Sequence, residues 1–143
     1  MFELRSRITI DADAVRVWSI LADFAAYPGW NPFITRISGS AAVGSRLEVL
    51  IQPAGGKAMT FRPTVLVSEE HRELRWLGRL LVHGLFDGEH RFRIEAQGTG
   101  RVLFHQEETF RGLLVPLFRS SLDTGTRQGF ETMNAALKAR AEG

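Results

Sequence analysis

Cysteine is absent from this 143-residue chain, which excludes disulfides, thiolate nucleophiles and cysteine-ligated zinc. Lysine is almost absent: Lys57 and Lys138 are the only lysines, and the other basic residues are arginines interleaved with Asp and Glu to a formal net charge of +2. No basic block is left to track a phosphate backbone, so nucleic acid is not an expected partner. No apolar run reaches the length of a membrane span. The opening residues MFELRSRITI place Glu3, Arg5 and Arg7 where a signal peptide needs an unbroken apolar core. A soluble cytoplasmic protein without a transmembrane segment is expected. Nucleotide-binding loops, nucleophile motifs, metal-ligand motifs, coiled-coil heptads, internal repeats and low-complexity tracts are also missing. No cofactor and no bound metal are therefore expected.

Hydrophobic residues make up 44% of the chain, enough at this length for one domain, residues 1–143, with a substantial core. Its most regular stretch is Leu114 to Glu142. There Val115, Phe118, Leu122, Phe130, Met133 and Leu137 recur at the spacings of one helical face. Arg119, Asp123, Arg127 and Glu131 alternate in sign at every fourth position on the other side, a ladder suited to water. Pro116 fits a first-turn position, and no later proline interrupts the run. One long amphipathic helix is expected. Gly125 and Gly129 each cost roughly 1 kcal/mol against Ala in a helix interior. Two of them four apart imply either close backbone approach to a sheet or space left open beside it.

Ahead of that helix, Phe2 to Ile10 alternates with period two, as a half-buried strand does. Asp11 and Asp13 are N-cap candidates for a short helix over Ala14 to Leu21, and a second short turn runs from Asp23 to Tyr27. Six further strands are expected at Phe33 to Ser38, Ser45 to Gln52, Ala58 to Ser68, Glu73 to Arg79, Leu85 or Glu89 to Ala96, and Arg101 to Phe110. The fifth of these has two possible starts because Asp87-Gly88 is a strong hairpin signal. Breaks at Pro53 to Lys57, Glu69 to His71 and Gln97 to Gly100 carry turn chemistry. The fold class is α+β: a twisted antiparallel sheet built from sequential hairpins, curled around the terminal helix, with a cavity where the curl is not filled.

Three stretches carry a resemblance: Tyr27-Pro28-Gly29-Trp30-Asn31-Pro32-Phe33, Leu85-Phe86-Asp87-Gly88-Glu89-His90-Arg91-Phe92, and Gly129 to Lys138. Together they resemble small START-like (SRPBCC) helix-grip proteins of the polyketide cyclase/dehydrase-like branch, over nearly the whole chain. The resemblance implies a seven-stranded antiparallel sheet curved around a long C-terminal helix, with two short helices after the first strand. It also implies an apolar cavity holding a lipid, a polyketide or another hydrophobic small molecule. It does not select a reaction, since carriers, receptors and cyclases share the fold.

Candidate site residues follow from strand parity. His90 shares a face with Phe92 and Ile94, so it points inward if that face meets the helix. In the next strand both faces carry apolar residues. Treating Leu103 as inward, which is the family-like reading, places His105 and Glu107 beside His90. Such a cluster could move protons on an enolisable ligand or hydrogen-bond the polar end of an apolar one. Alternatively, Glu107 faces solvent and pairs with Arg91 or Arg93, and His90 is a satisfied core histidine. The ligand-binding candidates are Trp76, Leu74, Val49, Phe86, Phe118, Leu122 and Phe130, together with His90 and His105. Trp30, held in a rigid proline-flanked bend, is expected as a plug or lid. The apolar loops 80–86 and 112–118 form either the cavity mouth or an interface, so a homodimer through them stays an alternative. Three functions are carried forward: binding or carriage of a hydrophobic molecule, a cyclase- or dehydratase-type enzyme using cavity histidines, and a module that docks on partners through its apolar loops.

Overall fold

The structure, a computed structural model, describes residues 1–80 and 82–143; Leu81, in the first apolar loop, lies outside the described residues. Strand β1 (Phe2–Ile10) leads into helix α1 (Ala14–Leu21) and a 3₁₀ turn (Phe24–Gly29). Seven strands follow: β2 (Ile34–Ser38), β3 (Glu48–Ile51), β4 (Met59–Phe61), β5 (Thr64–Glu69), β6 (Glu73–Arg79), β7 (Asp87–Ala96) and β8 (Val102–Arg111). The chain closes with helix α2 (Val115–Ser121), a π-helical turn (Leu122–Thr126) and helix α3 (Arg127–Glu142). Asp13 caps α1, its carboxylate accepting from the Arg16 amide at 2.8 Å. Asp11 instead pairs with Arg101.

The strands form a five-stranded antiparallel sheet, in the order β1-β8-β7-β6-β5, and a three-stranded sheet, β2-β3-β4. The expectation of seven strands in one sheet is corrected. Pro63 divides the expected Ala58–Ser68 strand into β4 and β5, because proline has no N–H to give to a ladder. The two sheets stay attached at this point: the Leu47 amide donates to the Pro63 carbonyl at 2.8 Å and the Val65 amide to Ser45 at 2.9 Å. Register shifts at Ile34/Arg36 and Val65/Val67 add bulges that bend the sheets. Asp87-Gly88 is not a hairpin turn. Both residues lie in β7, and the chain reverses before them, where Gly84 takes up φ +87°.

The curved sheet grips the C-terminal helix as expected. Phe130, Met133 and Leu137 are fully buried, and each large side chain so removed from water contributes on the order of 1.5–3 kcal/mol. On the wet side Arg127 pairs with Asp123 at 2.8 Å. The helix is not uniform, however. Its π turn sits at Gly125, where an added Cβ would stand 3.1 Å from the Ala54 carbonyl oxygen, and Thr124 donates back to the Ser120 carbonyl at 2.9 Å. A wider turn of this kind re-aims the residues around it.

Candidate functional site

The segment Tyr27 to Phe33 sets one wall of the site. The Asn31 side-chain oxygen accepts from the amides of Phe33 (3.0 Å) and Ile34 (2.9 Å), a local turn that starts β2 in a fixed direction. Tyr27 is wholly buried and donates its hydroxyl to the Leu21 carbonyl; burial pushes its phenol far above the usual range. So anchored, Phe33 lies against the backbone at Gly129, where its ring occupies the space a Cβ would need, and meets Phe130 edge-on with centroids 5.6 Å apart. The glycine makes room for the Phe33 ring rather than for the backbone of a sheet, the approach expected for it. Trp30 packs on Tyr27, 5.1 Å between centroids, and is not part of the cavity wall.

Between the three-stranded sheet, the inner face of β6 to β8 and the α2–π segment lies a cavity of about 880 Å³, at the large end for small-molecule sites. Its walls are mainly apolar, with Thr60, Ser121, Thr126 and Gln128 among them. Val49 and Ile51 come from β3, Trp76 from β6, Phe110 from β8, and Phe118 and Leu122 from the C-terminal helical segment, with Phe86 from the loop before β7. Gly78 and Gly88 are paired across β6 and β7, and both line the cavity. Lys57 and Arg79 stand on its rim, both exposed. Beside the mouth, Leu113 and Leu117 are 84% and 75% exposed, and the Leu113 and Leu114 amides bond to the Gly84 and Leu85 carbonyls. Both apolar loops therefore meet at this end of the cavity.

Of the residues expected from sequence, the structure brings Trp76, His90, Phe86, Val49, Phe118 and Leu122 to the cavity. Leu74 and Phe130 are buried behind the wall, Phe130 touching the His90 ring at 5.0 Å between centroids. His105 and Glu107 do not reach it, which corrects the inward placement of Leu103. In β8 the inward face carries Val102, Phe104, Gln106, Glu108 and Phe110, and two phenylalanines outweigh one leucine. On the outer face His105 meets Glu95 at 2.9 Å, while Glu107 lies 3.3 Å from Arg93 and 3.6 Å from Arg91.

The inward parity exposes a group that sequence reasoning missed. Glu108 is the cross-strand partner of His90, and its carboxylate lies 3.3 Å from His90 Nδ1. His90 Nε2 is 3.0 Å from Gln106 Oε1; Gln106 Nε2 donates to Asn134 Oδ1 (2.8 Å) on α3; Asn134 Nδ2 donates to Ser6 Oγ (3.0 Å) on β1. Three strands and the long helix are thus tied through a buried polar chain under a mainly apolar cavity. The sequence signals were present in the polar Gln106 and Glu108 on the Phe104/Phe110 parity and in Ser6 within an apolar register. His90 is also packed by Phe92 at 4.5 Å and Trp76 at 5.4 Å between centroids. Only the Glu108 end of the chain opens on the cavity alongside His90, so an imidazole and a carboxylate there can hold a ligand's polar end or exchange a proton with it. Among the described residues no group of three His, Asp or Glu converges as a metal site.

The family described as "Polyketide cyclase / dehydrase and lipid transport" matches residues 1–142. No curated protein matches the chain in sequence. Among solved structures, it is similar to a START superfamily protein from Mycobacterium smegmatis, at 23% identity over 98% of this chain and 97% of that one, TM-score 0.76. It is also similar to the ZhuI aromatase/cyclase from Streptomyces sp. R1128, at 16% identity over 99% and 93%, TM-score 0.79. A third is norcoclaurine synthase from Thalictrum flavum in complex with dopamine and hydroxybenzaldehyde, at 12% identity over 97% and 85%, TM-score 0.73. At these identities the likeness concerns the fold.

Proposed function

The chain belongs to the polyketide cyclase / dehydrase and lipid transport family, and from that premise we propose that it binds a hydrophobic small molecule between its sheets and its C-terminal helix. One observation carries this reading: an 880 Å³ space with mainly apolar walls that His90 and Glu108 line side by side. The fused-ring or acyl body would lie among Val49, Trp76, Phe86 and Leu122, and the polar end would meet the pair. Exposed Leu113 and Leu117 beside the mouth suit the transfer of such a ligand, because they keep its apolar body out of water on the way in. Pairing of two copies through these loops is the competing use of the patch; a sedimentation coefficient that rises with protein concentration would support it, and a constant monomer value would remove it. The test of the main reading is native mass spectrometry of freshly purified protein. An extra mass over the denatured chain, identified after extraction as a lipid or aromatic metabolite, is expected. A bare chain that also fails to take up added hydrophobic probes would refute the reading.

The His90–Glu108 contact favours a second reading, an acid–base enzyme of the cyclase or dehydratase kind. Such a site would accelerate proton exchange at the carbon beside the carbonyl of a small enolisable ketone such as 2-tetralone, and H90Q would abolish that exchange while leaving the ketone bound. Exchange no faster than in buffer counts against turnover.

A further inference from the structure

The hydrogen bonds beneath the cavity run in one direction, and Ser6 fixes it. Its hydroxyl has one proton, donated to the Gln106 backbone carbonyl at 2.8 Å. Ser6 Oγ can then only accept where it meets Asn134, so the Asn134 amide nitrogen faces Ser6 and its oxygen faces Gln106. Gln106 must give its nitrogen to that oxygen, which turns its own Oε1 toward His90. His90 Nε2, 3.0 Å away, is therefore a donor. The remaining ring nitrogen, Nδ1, lies 3.3 Å from Glu108 Oε1. A carboxylate only accepts, so Glu108 Oε2 is an acceptor. It is aimed at the space left by Gly88, where an added Cβ would stand 2.5 Å from it, and that glycine lines the cavity opposite Gly78.

Where His90 and Glu108 line the cavity, the carboxylate is thus presented as an acceptor, while the His90 Nε2–H donor is committed to Gln106. We propose that Glu108 is the specificity-determining residue of the cavity and that it selects ligands whose buried end is a hydroxyl donor, in particular a phenol on an apolar skeleton. The aromatic surround of Trp76, Phe86 and Phe110 suits a ring. A ligand ammonium would also donate, but burying a full charge among these walls costs far more than burying a neutral hydroxyl. A carboxylate ligand would meet an acceptor at Glu108 and is turned outward, toward Lys57 and Arg79 on the rim. This inference rests on the cavity being a ligand site.

The test uses 2-naphthol and naphthalene, matched in shape and differing in the hydroxyl, titrated calorimetrically into the wild-type chain, E108Q and E108A. A hydrogen bond to a charged group is worth more than a neutral one by about 1.4 kcal/mol, so E108Q weakens 2-naphthol roughly tenfold. E108A weakens it at least as much, and naphthalene changes less than twofold in either variant. Undiminished 2-naphthol affinity in both variants, or equal loss for the two probes, overturns the inference while leaving the cavity reading intact. Failure of the wild type to bind either probe overturns both.

Discussion

Gln106→Leu removes a fully buried side chain that serves two partners at once. It leaves His90 Nε2–H and Asn134 Oδ1 without the contacts they hold at 3.0 and 2.8 Å. Each buried polar group orphaned in this way costs about 1–3 kcal/mol, so the substitution should destabilise the chain by about 2–4 kcal/mol, the added apolar surface offsetting part of the loss. Asn134→Leu is milder, at about 1–2 kcal/mol. Gln106 Nε2 keeps a long contact to the Phe130 carbonyl at 3.5 Å, and Ser6 still donates to the Gln106 carbonyl. In the double variant the pair of groups facing each other disappears together. Its destabilisation should fall short of the sum by about 1 kcal/mol or more, a coupling typical of residues in one buried network. Urea denaturation of the four proteins, with a common slope, measures this cycle. Additive losses, or a Gln106→Leu effect below about 0.5 kcal/mol, as at an unconstrained surface site, would refute the buried chain and the hydrogen-bond direction derived from it.

Gly129→Ala inserts a Cβ into the Phe33 ring, and overpacking of about 1–3 kcal/mol outweighs the helix propensity gained. The melting temperature should fall by roughly 4 °C, and Phe33→Leu in the same chain should recover it; an unchanged or higher value in the single variant contradicts the contact. Tyr27 is the only tyrosine, so absorbance at 295 nm reports it alone. Burial raises its folded value above the ordinary value near 10, so the stability linked to the neutral phenol is complete below that pH and is lost as pH climbs beyond it. Phenolate should appear only together with loss of the circular dichroism signal; a reversible titration near pH 10 in the folded chain would be inconsistent with its burial. His105→Gln and Glu107→Gln alter the outer face of the sheet and should change 2-naphthol affinity less than twofold; a tenfold loss in either would restore them to the site.

Elements with a single unopposed pattern were legible in the sequence. The alternation of β1, the short α1 and the buried stripe of α3 all follow from local periodicity. The inward placement of His90 followed because Phe92 and Ile94 share its parity. What failed involved two competing signals or none. β8 carries apolar residues on both faces, so its parity was settled only by pairing with β1 and β7, and that pairing moved His105 and Glu107 outward and brought Glu108 in. Pro63 was a visible breaker inside an expected strand, but whether it split the strand or sat at an edge depends on neighbours far along the chain. The Gln106–Asn134–Ser6 links span more than a hundred residues of sequence at their widest, and no local periodicity encodes them. The π turn likewise sits where Gly125 comes close to the Ala54 carbonyl, a tertiary contact that local periodicity does not encode.

The central claim is that a ligand enters the space between the sheets and the C-terminal helix. Two-dimensional NMR of the isotope-labelled chain titrated with 2-naphthol tests it most directly. Saturable shifts should appear at the Gly78 and Gly88 amides, the Trp76 indole and the Val49 and Leu122 methyls, while Arg93, His105 and Glu107 on the outer face stay still. No saturable change, or shifts confined to the exposed Leu113 and Leu117 patch, would contradict it.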